Sequence, residues 1–173
     1  MSEELTLDID LNVLNHLGLN LYSNVPAVLA ELIANAWDAD ASRVDVSVKE
    51  QDEGKRIIIQ DNGCGMDRTE LQEKFLTVGY QRRSKGSGDQ TAGGRSVMGR
   101  KGIGKLSVLS IARKVYVYTK KEDTDPLAIE LDVKKIQEAI EKKQKYRPPV
   151  INEPKDINFE NSGTALVLTD IKR

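Results

Sequence analysis

Cysteine is nearly absent from this chain: one residue, Cys64, among 173 rules out an internal disulfide and fits a reducing compartment. No apolar run approaches the roughly 20 residues that a membrane helix needs. The acidic opening Ser2-Glu3-Glu4 is unlike the basic start of a signal peptide. A cytoplasmic protein with no membrane partner is therefore expected. Net charge is also nearly absent, at −1, so the molecule as a whole is not an obvious polyanion binder. Aromatic residues make up 5%, and Phe75 and Tyr80 are the few near the basic stretch described below. No stacking platform for nucleic acid is evident there.

Hydrophobic residues at 39% and charged residues at 31% are ordinary for a soluble globular chain long enough to bury one core. Charge is unevenly placed. Between Gly79 and Lys105 stand Arg82, Arg83, Lys85, Arg95, Arg100, Lys101 and Lys105 against one acid, Asp89. An anion bound by this protein is expected there.

The pattern along the chain predicts a short helix near Asn12 to Leu19, then a long apolar helix from Val25 to Ala39 with Asn24 as N-cap and Pro26 in its first turn. Arg43 to Lys49 alternates like a half-buried strand, and Arg56 to Gln60 is a second strand ending at the turn Asp61-Asn62-Gly63. Asp67 and Glu70 form a capping box for a helix to Leu76. The glycine-rich run from Gly79 to Gly104 reads as a functional lid. A helix over Lys105 to Ala112, strands over Lys114 to Thr119 and Leu127 to Val133, a charged helix near Lys134 to Lys143, a polar loop from Tyr146 to Ser162 and a strand over Thr164 to Ile171 complete the order. That order predicts one domain, 1–173, built as an α+β two-layer sandwich.

On the first long helix Glu31, Asn35 and Asp38 fall in one narrow stripe, because residues three and four apart share a helix face. Nearly every other position is apolar, Trp37 included, so the helix and Trp37 are expected in the core. Buried carboxylates and amides need partners, so the stripe should face a ligand cavity rather than bulk water. An amide oxygen and a carboxylate one turn apart suit a hydrated Mg²⁺ and an activated water.

Two glycine turns follow. Asp61-Asn62-Gly63-Cys64-Gly65-Met66 ends a strand, where a carboxylate can accept a hydrogen bond from a base's amino group, although taken alone the pattern is a weak signal and a plain β-turn is the commoner explanation. Gly99-Arg100-Lys101-Gly102-Ile103-Gly104-Lys105 opens a helix, and its N–H groups, glycines and lysines suit a phosphate. It is neither a Walker A loop nor a Rossmann fingerprint.

Four motifs in fixed order, Glu31-x3-Asn35-x2-Asp38, Asp61-x-Gly63-x-Gly65, Gly99-x2-Gly102-x-Gly104 and Gly163-Thr164, resemble the GHKL superfamily of gyrase B, the ninety-kilodalton heat-shock chaperone, MutL, MORC proteins and histidine kinases. The resemblance spans positions 31 to 164 and is nearest to bacterial stand-alone and MORC-like members. It implies the Bergerat fold, a mixed and mostly antiparallel sheet with helices on one face, binding ATP with Mg²⁺. By position it implies Asn35 as the metal ligand, Glu31 as the general base, Asp38 as a supporting acid, and Asp61 reading adenine with Gly63, Gly65, Met66 and Thr164 around it. Lys101, Gly102, Ile103, Gly104 and Lys105 correspond to the phosphate-binding end of the lid.

The resemblance also implies a homodimer or a downstream transducer-like domain in a longer protein, with this chain as its N-terminal part and slow hydrolysis alone. Histidine kinases carry Asn at the place of Glu31, which favours hydrolysis over phosphotransfer, the alternative use of the same pocket. His16 lacks the neighbouring carboxylate of a phosphoacceptor and reads as a surface or core histidine. Cys64 reads as a small tolerated residue, and nucleic acid remains a partner that the sequence permits without indicating.

Overall fold

The computed structural model describes residues 4–7, 25–51, 54–77, 90–99, 104–152 and 157–172. The expected helix near Asn12, the N-cap Asn24 and His16 lie outside them, as do Lys101, Gly102 and Ile103.

Five strands form one sheet: β1 (Val44–Gln51), β2 (Gly54–Asp61), β3 (Ala112–Lys120), β4 (Leu127–Asp132) and β5 (Gly163–Ile171), in the order β1-β2-β5-β3-β4. Every described pairing is antiparallel. Helix α1 (Val25–Asp38) leads the sheet. After β2 come α2 (Arg68–Glu70) and a π-helical turn over Leu71–Leu76. The last strands are preceded by a 3₁₀ turn at Gly104–Leu106 and α3 (Val108–Ile111), and β4 is followed by α4 (Val133–Glu141).

Alternation sorts the strand residues onto two faces. Ile57, Ile59, Val115, Val117, Ile129, Leu131, Leu166 and Leu168 meet Val28, Leu32, Leu71, Phe75, Leu106, Leu109 and Ile136 in the main core. Each such side chain, fully buried, contributes about 1.5–3 kcal/mol. The opposite face, with Ile58, Tyr118, Ala165 and Val167, packs against Ile157 and the half-buried Ile151 and Phe159. The segment read as a polar loop thus supplies the cover of the second face.

Four expectations are corrected. The edge strand β1, expected half-buried, leaves Val46 and Val48 exposed, because the described residues place no layer over that face at the sheet edge. Helix α1 buries one seam, Val28, Leu32 and Ala36, and leaves Ile33 47% and Trp37 42% exposed, so neither the whole helix nor Trp37 belongs to the core. The helix expected over Asp67 to Leu76 keeps its capping box, with Asp67 accepting the Glu70 N–H, but widens into the π-turn after one α-turn. The helix expected over Lys105 to Ala112 is broken into the 3₁₀ turn and α3. It ends early because Ala112 opposes Ile171 as the first pair of the β3–β5 ladder.

Candidate nucleotide site

Between α1, the π-turn and the ends of β2 and β5 lies a cavity of about 150 Å³. Six residues singled out from the sequence line it: Asn35, Asp61, Gly65, Met66, Lys105 and Thr164. Seven others complete the lining, among them Cys64 from the same turn and Lys74 and Phe75, which the sequence had not assigned to a site.

The sheet wall is set by register. Asp61 ends β2 opposite Thr164 on β5, and Thr164 in turn faces Thr119 on β3, so three polar residues form a row across the sheet. Burial pushes the Asp61 carboxyl above its ordinary value, opposed by hydrogen bonds from the Gly63 and Thr164 backbone N–H groups. The Gly63 bond measures 2.8 Å. Thr119, fully buried, accepts the Met66 N–H at 2.9 Å and lies 3.2 Å from the Thr164 hydroxyl. Gly65 has φ +62, and a Cβ there would strike the Lys120 carbonyl. That position requires glycine on both counts. Gly63 is buried beside this turn, its carbonyl accepting from the Ser162 hydroxyl at 2.7 Å, and does not line the cavity.

The helix wall is basic. Lys105 is almost fully buried, and desolvation lowers its pKa to about 8. Its ammonium donates to the carbonyl of Lys74. That carbonyl lies in the last turn of the π-helix, where no intrahelical donor remains. Lys74 pairs with Glu70 at 2.6 Å, and Glu70 and Asp67 both pair with Lys121, at 3.0 and 2.9 Å. The capping box was legible in the sequence, whereas nothing there placed Lys74 on this wall.

Helix α1 contributes the remaining groups. The Asn35 side-chain nitrogen is buried with no hydrogen-bond partner among the described residues. An orphaned amide on a cavity wall is costly unless a ligand meets it. Glu31, one turn earlier and half-buried, stands against Gly104, where a Cβ would fall within its carboxylate. Asp38 does not line the cavity. It accepts the N–H groups of Met98 and Gly99 at 2.7 and 2.9 Å. The glycine-rich stretch is therefore attached to α1 at two levels, Asp38 to Gly99 and Glu31 to Gly104.

No group of three or more histidine, cysteine, aspartate or glutamate side chains that could hold a metal occurs among the described residues. Mg²⁺ does not need one: it keeps several waters and takes one or two protein oxygens plus substrate phosphates. Asn35 fits that requirement, since rotation of its unpaired amide presents an oxygen to the cavity.

A helix layer on an antiparallel sheet, with an asparagine-bearing helix facing a strand-end aspartate and threonine across a cavity, defines the class of GHKL-type ATP-binding domains. Residues 22–164 match the family described as histidine kinase-, DNA gyrase B- and HSP90-like ATPases, and the chain belongs to that family. It is 41% identical over 167 residues to a putative type II restriction enzyme, HgiDII, of Herpetosiphon aurantiacus, covering 96% of this chain and 26% of that protein. It is 30% identical to the chaperone protein HtpG of Rhizobium meliloti, covering 71% of this chain and 23% of HtpG. It is 36% identical to the DNA mismatch repair protein MutL of Syntrophotalea carbinolica over 50% of this chain. The chain spans between 13% and 26% of the length of these relatives. No described helix is long and apolar enough to cross a membrane.

Proposed function

We propose that this domain binds Mg-ATP in the cavity between α1 and the ends of β2 and β5 and hydrolyses it slowly. The observation that carries this reading is the convergence of Asn35, Asp61, Gly65, Met66, Lys105 and Thr164 on one cavity. Residues separated by as many as 129 positions in sequence meet there.

In this reading Asp61 accepts the adenine amino group, its half-buried position making that hydrogen bond selective. Gly65, Met66 and Thr164 shape the space around the base. Lys105, with Lys74 beside it, meets the phosphates, joined by the Lys101, Gly102 and Ile103 backbone. Asn35 holds Mg²⁺, which would neutralise phosphate charge. Glu31 accepts a proton from the attacking water, and its contact with Gly104 makes its placement sensitive to the phosphate-binding end of the lid. Asp38 supports the lid from α1. The compartment is cytoplasmic, and the whole protein uses nucleotide state to act on a partner domain or a second copy.

Calorimetric titration with a non-hydrolysable ATP analogue, with and without Mg²⁺, tests this reading. Binding should need Asp61 and strengthen with Mg²⁺. Glu31→Ala should retain binding and lose turnover, whereas Asp61→Ala should lose binding. Binding that survives Asp61→Ala unchanged sinks the assignment. Transfer of γ-labelled phosphate to a protein side chain, rather than its release, would favour the kinase alternative.

The similarity to a putative restriction enzyme supports a second reading at the level of the whole protein, in which the domain drives work on DNA. Turnover measured with and without duplex DNA distinguishes it: stimulation supports DNA-coupled work, and indifference removes it.

A further inference from the structure

Two acids stand at the end of α1 where the helix dipole disfavours them, and the last turn contains no basic residue to offset them. Asp38 closes the helix. Asp40 follows with φ 59, the left-handed turn past the helix end that aspartate tolerates better than most residues. Both carboxylates are satisfied by one segment remote in sequence, residues 90–99.

The Asp40 carboxylate accepts the Thr91 hydroxyl at 2.5 Å and the Gly93 N–H at 2.8 Å, with the Arg95 guanidinium at 4.0 Å. The Thr91 hydroxyl oxygen also accepts the Arg95 N–H at 3.0 Å, closing a compact turn around the acid. Arg95 donates to the Ala41 carbonyl at 2.7 Å and lies over the Trp37 ring, 4.7 Å from its centroid. The Trp37 indole N–H donates to the Ser96 carbonyl at 2.9 Å. Trp37 is therefore held on the surface as the ring on which this segment rests.

We propose that Asp40 is a positioning residue. By clamping Thr91, Gly93 and Arg95 to the end of α1, it sets the register in which Gly99 reaches Asp38 and Gly104 reaches Glu31. The role rests on the ATP reading above and adds to it a fixed anchor for the phosphate-binding half of the glycine-rich stretch. Its consequence is selective: the clamp supports recognition of the triphosphate, while the adenine end, built on β2 and β5, does not depend on it.

Trp37 is the chain's one tryptophan, so its fluorescence reports the clamp directly. Asp40→Ala is expected to shift Trp37 emission to the red and to speed tryptic cleavage after Arg95, both without nucleotide. It should also weaken binding of a non-hydrolysable ATP analogue about tenfold, the size of a partly exposed charge-assisted contact, and leave adenosine affinity unchanged. Asp40→Asn should recover part of each effect. Thr91→Val, which alters nothing on α1, should move every readout in the same direction if Asp40→Ala folds poorly.

Unchanged emission and cleavage in both Asp40→Ala and Thr91→Val would overturn the clamp. Equal weakening of adenosine and analogue would overturn the selective role. Wild-type protein that binds neither ligand would remove the ATP reading and the positioning role together, while the fluorescence and cleavage results still judge the clamp.

Discussion

Glu31 and Gly104, 73 positions apart, touch: the glycine Cα lies so close to the glutamate carboxylate that a methyl group has no place between them. A side chain at 104 would move the proposed base or lift the segment off α1. Gly104→Ala should lower ATP turnover by at least about tenfold through this misplacement, with a stability cost of about 1–3 kcal/mol. Turnover and thermal melting measured on one preparation check both parts. A variant as active and stable as wild type would show that the contact has no consequence.

Lys105 makes binding depend on pH. Burial holds its pKa near 8 in the free protein, against an ordinary 10.5. A phosphate placed beside it favours the charged form and raises that pKa. Near pH 8.5 the free lysine is mostly neutral, so binding should take up a proton, and affinity should fall as pH rises from 8 toward 10.5. The folding linkage runs in the opposite direction. The unfolded chain binds the proton more tightly between those pH values, so the free fold gains stability there as pH rises. Titrations in buffers of different ionisation enthalpy measure the uptake, and Lys105→Met should abolish it.

Gly65 tests the turn that carries Met66 into the cavity. Gly65→Ala combines a left-handed backbone with a collision against the Lys120 carbonyl. The expected cost is about 2–4 kcal/mol. For a chain of this size that corresponds to a fall of roughly 5–15 °C in Tm. Gly54→Ala shares the positive φ but meets open space, so it should cost less.

Thr119→Val keeps the shape of a fully buried side chain and deletes its hydroxyl. The Met66 N–H then loses its acceptor. Urea unfolding should register a loss of about 1–3 kcal/mol, the penalty for an unpaired donor in a part-buried place. ATP-analogue affinity should fall as well, because Thr119 links the Met66 turn to Thr164 across β3 and β5. Loss of affinity without loss of stability would show that Thr119 serves the pocket alone.

Periodicity alone was enough to read the strands and α1. Period-two alternation in Val44–Gln51, the continuous apolar run from Ala165 to Leu168 within Gly163–Ile171 and the apolar repeat of Val25–Asp38 are properties of neighbouring residues, which sequence displays directly. Asn35 stood out for the same reason, whereas Asp61 and Thr164 were singled out only through the ordered set of motifs and its family resemblance, since neither turn is distinctive alone. The extent of α3 was not legible. Nothing within Lys105 to Ala112 announces that a ladder with Ile171 takes over at Ala112.

The sequence by itself determined the layer pattern, the strand edges and the polar stripe on α1, because these depend on spacing within a few turns of chain. Only the tertiary structure decided which apolar side of α1 is covered, that Trp37 serves as a platform for Arg95, and that Lys74 stands beside Lys105 on the cavity wall. Each of those depends on a contact between residues 31 or more positions apart. Local hydrophobicity shows that a side chain needs a partner, whereas the returning chain determines which partner arrives.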